Sequence, residues 1–238
     1  MQKKPLLFTV NGERHCGTTF LKEILLCNNL DVFDGFKSGA ICSMWKHGFA
    51  SNYLKKLNIY GCVNIFIFRN IEDWLISMFF NPYHLYYQED FNEFLVCSQK
   101  SCAHPGSKDE IINIRNKKAI NKFDEGKNIF EIRQAKNKSY IDFFCRNENV
   151  VLVSLDYLKN PDNCLKFLKD LNSKYNIGMD ENNLVCEIPY NVKTGFENNK
   201  STHYNFKIDG IGKLIIDSLK NDEYENFIDN LTYLIKTQ

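Results

Sequence analysis

Three short stretches of this chain are apolar on nearly every successive residue: residues 6–10 (LLFTV), 63–68 (VNIFIF) and 150–155 (VVLVSL). In a half-exposed strand, apolar and polar residues alternate. A continuous run therefore predicts a strand covered on both faces. Each run leads into helical spacing. Phe20, Leu21, Ile24 and Leu25 share one face of a helix predicted from Thr18 to about Leu26. A second helix is expected from Glu72 to about Phe80, where Asn81-Pro82 ends it, and a third after Asp156 through Leu171. Residues 40–45 read as a further buried strand and 52–57 as a short helix. Amphipathic helices are expected over about 109–122 and 129–146, loop over most of 176–209, and one or two helices from Ile211 to Ile235. Strands alternating with helices specify an α/β fold, with a parallel sheet flanked by helices on both faces. At 238 residues, with no internal repeat and no long linker, residues 1–238 read as a single domain.

Ligands of such sheets bind beyond the carboxyl ends of the strands. The chemistry is therefore expected in the loops after Val10, Trp45 and Phe68. The first loop reads Gly12-Glu13-Arg14-His15-Cys16-Gly17-Thr18-Thr19. It has the glycine frame of a phosphate-binding loop, Gly-x-x-x-x-Gly, between a strand and a helix start. Backbone N–H groups of residues 16–19 and the helix dipole suit an anion there, and the hydroxyls of Thr18 and Thr19 can add to them. The Lys that follows the second glycine in ATPases is absent, since Thr18 occupies that place, and the cations are Arg14 and His15. The bland alternative is a glycine-containing turn with a Thr cap. The second loop places Arg69 at the end of the clearest strand, with Ser77 eight residues later. A guanidinium there can fork onto a phosphate with a hydroxyl beside it. It can equally pair with Glu72 or Asp73.

Composition sharpens one point. Thirty basic residues face twenty-nine acidic ones, so no nucleic-acid polymer is expected as a partner. Only five of the thirty are Arg (Arg14, Arg69, Arg115, Arg133 and Arg146). Two of these five fall on the two loops singled out by the topology. The nine Cys are scattered without a Cys-x-x-Cys pair. The nearest approach to a metal cluster is Cys97, Cys102 and His104, which lacks a fourth ligand, so no metal is expected. The N-terminal apolar run is too short for a secretory signal, and no stretch approaches the roughly eighteen apolar residues of a membrane span. A cytoplasmic location and no membrane partner are the expectations.

The two loops together resemble the sulfotransferase family that uses 3′-phosphoadenosine 5′-phosphosulfate (PAPS). Arg14-His15-Cys16-Gly17-Thr18-Thr19-Phe20-Leu21 is similar to its 5′-phosphosulfate motif. Arg69-Asn70-Ile71-Glu72-Asp73 through Ser77 is similar to its 3′-phosphate motif, with Ile71 where the family has Pro. The stretch Asp156-Tyr157-Leu158-Lys159-Asn160-Pro161 resembles a third family segment, and Lys193-Thr194-Gly195 resembles the family's loop over the 3′-phosphate. The resemblance spans about residues 6–171. It implies a three-layer α/β fold of the P-loop NTPase type and transfer of a sulfuryl group from PAPS to a hydroxyl or amine. The acceptor would be a small molecule, glycan or peptide, the product adenosine 3′,5′-bisphosphate, and no metal is required. It also implies contacts to PAPS from Arg14, His15, Cys16, Gly17, Thr18, Thr19, Arg69, Ser77, Lys193 and Gly195, with Phe20 either stacked on adenine or packed in the core. His15 stands where the family has a catalytic Lys or Arg, and Arg14 beside it can share that role. His47 resembles the family's base, with Lys46 as a second contributor, and His84 with the aromatics of residues 83–87 can line the acceptor pocket. Two other functions remain open at this point: a non-catalytic nucleotide-binding relative, given His15, and a small-molecule P-loop kinase. The kinase lacks its Lys, and only Asp156 stands ready as an acidic Mg²⁺ ligand.

Overall fold

A computed structural model describes residues 6–33, 47, 49–50, 61–81, 88–98, 127–188 and 206–236. The expected strand at 40–45, the helices at 52–57 and 109–122, and residues Lys46, His84, Cys102, His104, Lys193 and Gly195 lie outside the described residues.

The strands are β1 (Leu7–Asn11), β2 (Asp31–Val32), β3 (Val63–Phe68), β4 (Val150–Ser154) and β5 (Tyr233–Lys236). They form one sheet in the order β2-β1-β3-β4-β5. The first four are mutually parallel, with Thr9 opposite Asn64 and Phe66 opposite Leu152, and β5 runs antiparallel to β4. The fully parallel sheet read from the sequence is thus corrected at one edge. The segment expected to be wholly helical after Ile211 ends in β5. Its four residues run between half-buried and exposed, so they never form the continuous apolar run that marks an interior strand.

The helices are α1 (Thr18–Cys27), α2 (Ile71–Phe80), α3 (Phe91–Val96), α4 (Ile129–Arg146), α5 (Leu155–Leu158), α6 (Pro161–Tyr175), α7 (Gly210–Leu219) and α8 (Asp222–Asp229). Asn and Asp supply most of their starts. Asn70 caps α2, Asp90 caps α3, Asn160 caps α6 and Asn221 caps α8, each through its side-chain oxygen. Asn128 and Glu131 form a reciprocal capping box on α4. At α1 the cap is Gly17, which has no side chain to offer.

Strand periodicity assigns the two cores. Phe8, Val10, Ile65, Ile67, Val151 and Val153 point to one face and pack with Leu21, Ile24 and Leu25 of α1 and Phe167, Leu168 and Leu171 of α6. The alternate residues Phe66, Phe68, Val150 and Leu152 pack with Tyr140 and Phe143 of α4 and Ile228 of α8. Both faces of the sheet are therefore covered by helices.

Candidate functional site

From β1 the chain passes through α1 to β2 on one side, whereas from β3 it proceeds to β4 on the other. The carboxyl ends of β1 and β3 are therefore the point where the strand order reverses, the place where open α/β sheets form their ligand crevice. The loop of residues 12–17 and the pair Arg69-Asn70 both lie there.

The β1 loop is shaped by backbone. A Cβ on Gly12 would stand 2.5 Å from the Ile67 carbonyl oxygen, so only glycine lets the loop pass that close to β3. Gly17 adopts φ 89°, and a Cβ there would meet a Leu155 methyl at 2.6 Å. His15 also lies in the left-handed region, at φ 61°. That conformation costs a non-glycine residue about 1–2 kcal/mol. Three contacts hold it in place. The Arg69 guanidinium donates to the His15 carbonyl (Nη1 to O, 3.0 Å), the His15 ring meets the Asn81 carbonyl (Nε2 to O, 2.8 Å), and the Trp74 indole donates to the Arg14 carbonyl (2.8 Å).

Within the loop, the Cys16 amide donates to the Glu13 carbonyl at 3.2 Å. The group of free amides expected at residues 16–19 therefore begins no earlier than Gly17. The Cys16 thiol is buried, and burial, followed by the nearby Glu13 charge, pushes its pKa up to about 12. At neutral pH it is a protonated thiol. Thr18 is buried, Thr19 is partly exposed, and Phe20 packs partly buried against the larger core.

The β3 end is held by side chains. Arg69 donates to Ser77 Oγ at 2.7 Å, so the Arg–Ser spacing does bring the two together, two turns into α2. The pairing with Asp73 is also present, at 3.5 Å from Nη2. Arg69 Nε is buried and has no hydrogen-bond partner among the described residues. Asn70 donates both its backbone N–H (3.0 Å) and its side-chain N–H (2.9 Å) to Asp156 Oδ2, and Lys159 donates to Asp156 Oδ1 (2.7 Å) and to Asp73 (3.2 Å). Burial raises the Asp156 pKa, but the hydrogen bonds from Lys159 and Asn70 outweigh it and hold the carboxyl below its ordinary range.

His47 meets the Gly12 carbonyl through Nδ1 at 2.9 Å. A carbonyl only accepts, so Nδ1 carries the proton and Nε2 is the basic nitrogen of the neutral ring. By the same argument Nε2 of His15 is protonated against Asn81, and Nδ1 is its basic position. The partly buried Arg14 contributes its carbonyl to Trp74.

The residue that joins the two loops carries no motif in the sequence. Arg133 on α4 is 1% exposed. It makes a two-pronged pair with Glu225 of α8 (Nε–Oε1 2.7 Å, Nη2–Oε2 2.8 Å) and donates to the Arg69 carbonyl (2.7 Å). It also stands over the Trp74 ring at 4.7 Å and pairs with Glu13 at 3.8 Å. Lys136 approaches the other Glu13 oxygen at 3.9 Å. A signal existed: positions 129, 132, 133, 136 and 140 share one helical face, so Arg133 and Lys136 interrupt an otherwise apolar stripe.

Fold and site together define an α/β protein whose candidate site sits at the switch point of a mostly parallel sheet. Compared with family models, with curated proteins and with solved structures, the chain gives no significant match. No helix among the described residues is long and apolar enough to cross a membrane, and no group of three metal-ligating side chains occurs among them.

Proposed function

We propose that this protein is a sulfotransferase of the P-loop NTPase-like fold, moving a sulfuryl group from 3′-phosphoadenosine 5′-phosphosulfate to a hydroxyl or amine acceptor. The observation that carries the reading is Arg69. It lies at the switch point, bonded to Ser77 and to the β1 loop, and its buried Nε is a donor without an acceptor among the described residues. A buried guanidinium N–H gains most from an anionic acceptor, and a phosphate supplies one. The residues therefore fit a 3′-phosphate held by Arg69 and Ser77. The 5′-phosphosulfate would lie at the start of α1, where the Gly17 cap supplies no competing side chain and Thr18 and Thr19 carry hydroxyls.

Sulfuryl transfer requires that charge developing on the leaving phosphate be met by fixed donors, and that the acceptor lose a proton. The α1 N-terminus and Arg14 serve the first need. His15 joins them when protonated, since its Nδ1 then becomes a donor. His47 serves the second. The Gly12 carbonyl fixes its tautomer so that Nε2 takes the acceptor's proton, with Lys46 beside it in the sequence. The kinase reading loses support from Asp156, whose carboxylate is committed to Asn70 and Lys159.

Thermal denaturation tests the proposal. Adenosine 3′,5′-bisphosphate without Mg²⁺ should raise the melting temperature, by the equivalent of about 2.7 kcal/mol at a hundred times its Kd. Arg69→Ala should abolish most of that rise with the fold intact. Stabilisation by ATP with Mg²⁺, and none by the bisphosphate, would replace this reading with the kinase. Transfer of labelled sulfate from PAPS across phenols, glycans, amines and peptides identifies the acceptor. If the wild type transfers sulfate and His47→Ala does not, His47 is the base. If the wild type binds the bisphosphate but transfers to nothing, the protein is a non-catalytic relative.

A further inference from the structure

Arg133 lies beneath both loops of the site and belongs to neither. Its guanidinium holds the Arg69 carbonyl at 2.7 Å, which fixes the point where β3 turns into α2. Its face covers Trp74 at 4.7 Å, and the Trp74 indole N–H holds the Arg14 carbonyl at 2.8 Å. Its Nη1 stands 3.8 Å from Glu13, the second residue of the β1 loop. One rigid planar group thus sets a strand end and, through an aromatic ring and a carboxylate, the loop beside it. Glu225 grips that group with both oxygens from a helix that the two loops do not include. Lysine cannot reproduce this, because its ammonium has no flat fork with which to serve Glu225, the Arg69 carbonyl and Trp74 together.

We infer that Arg133 is the positioning residue that fixes the spacing between the β1 loop and the β3 end, and hence between the two phosphate subsites of the candidate site. The inference rests on the proposed function for its ligand, though not for its geometry. A ligand that spans two subsites gains from their correct separation, because its second contact is intramolecular. A ligand that fills one subsite gains nothing from it. The gain is lost when the separation is wrong, since the second contact can then form only at the expense of the first. Arg133 should therefore control discrimination between two-phosphate and one-phosphate ligands, which a residue important only for overall stability would not alter.

The test compares wild type with Arg133→Lys, Glu225→Gln and Trp74→Phe. Calorimetry reads the Kd of adenosine 3′,5′-bisphosphate and of adenosine 5′-monophosphate, and amide hydrogen exchange reads residues 13–19 and 69–73 together with α4 and α8. Arg133→Lys should weaken the bisphosphate about tenfold or more and the monophosphate no more than about threefold. Exchange should rise in both segments together. Glu225→Gln should shift the same ratio in the same direction, and Trp74→Phe, which removes the indole N–H with part of the ring but leaves Arg133 and its pairs in place, should do so less. Equal losses for the two ligands, or exchange raised at one segment only, would overturn the inference. If Arg133→Lys does not fold, Glu225→Gln and Trp74→Phe decide by the same criteria. If the wild type binds no bisphosphate, the proposed function fails and the exchange result alone judges Arg133. A rise confined to α4 and α8 then refutes the positioning role, and a coupled rise in both loops sustains it.

Discussion

The two loops at the switch point do neighbouring work by different means. The β1 loop is a backbone construction. Gly12 and Gly17 lie where no Cβ fits, His15 is left-handed, and carbonyls of residues 14 and 15 are the groups that neighbours hold. The β3 end is a side-chain construction, in which Arg69, Ser77, Asp73, Asn70, Asp156 and Lys159 stitch α2 to α5. A backbone-built loop offers fixed dipoles whose strength does not depend on pH. A side-chain network offers whole charges, whose strength does. The candidate site thus combines backbone dipoles at one end with a network of charged side chains at the other.

This contrast can be broken most forcefully where it is joined. Arg133→Ala removes one partner of a buried charge cluster and leaves Glu225 and Glu13 without their shared cation. Unfolding in urea should show a loss of about 3–5 kcal/mol. A loss below about 1 kcal/mol would mean the two loops are anchored independently.

The next effect belongs to the β1 loop alone. Gly17→Ala forces a Cβ against Leu155 in a left-handed conformation. Crowding and strain together should cost about 2–4 kcal/mol, with the midpoint shifted and the denaturant slope unchanged. This loss should be the same at pH 4 and pH 7, since no titrating group is involved in the clash.

The smallest effect should be the pH-dependent one at the β3 end. The Asp156 pKa is lowered in the folded state, so its contribution is present above the ordinary carboxylate range and is lost as pH falls through the folded value. Asp156→Asn should cost about 1.5 kcal/mol at pH 7, at the lower end for a hydrogen bond to a charged group. Its melting curve should converge with that of the wild type as the pH falls through the lowered folded-state value, where the carboxyl of the wild type is protonated too. A gap that persists at low pH would show that Asp156 acts by shape rather than charge.

The two loops also differ in how far the sequence exposed them. The glycines at positions 12 and 17 announced a tight strand-to-helix passage, and the structure supplies their reason, with Ile67 and Leu155 against them. The spacing of Arg69 and Ser77 was equally legible, because eight residues on a helix following a strand leave the two within reach. Asp156 was visible as an acid after a strand, but not its partners, since Asn70 lies eighty-six residues away and nothing local links them. Arg133 stands out in the sequence only as one of five arginines. The apolar spacing predicts a helix over about 129–146, as found, but gives no reason for a charge on its buried face.

Local interactions explain what the sequence determined by itself: three buried strands, the helices that follow them, and a glycine loop between the first strand and its helix. These follow from side-chain periodicity and from the steric limits on backbone angles, both confined to a few successive residues. The tertiary structure decided the rest. It set the strand order that brings the ends of β1 and β3 together and the antiparallel edge strand. It also decided that Arg133, from the helix that leads into β4 and not from the segment joining β1 to β3, holds both loops. Such choices rest on contacts between residues dozens of positions apart, whose pairing is set by how buried charges find partners once the sheet has assembled.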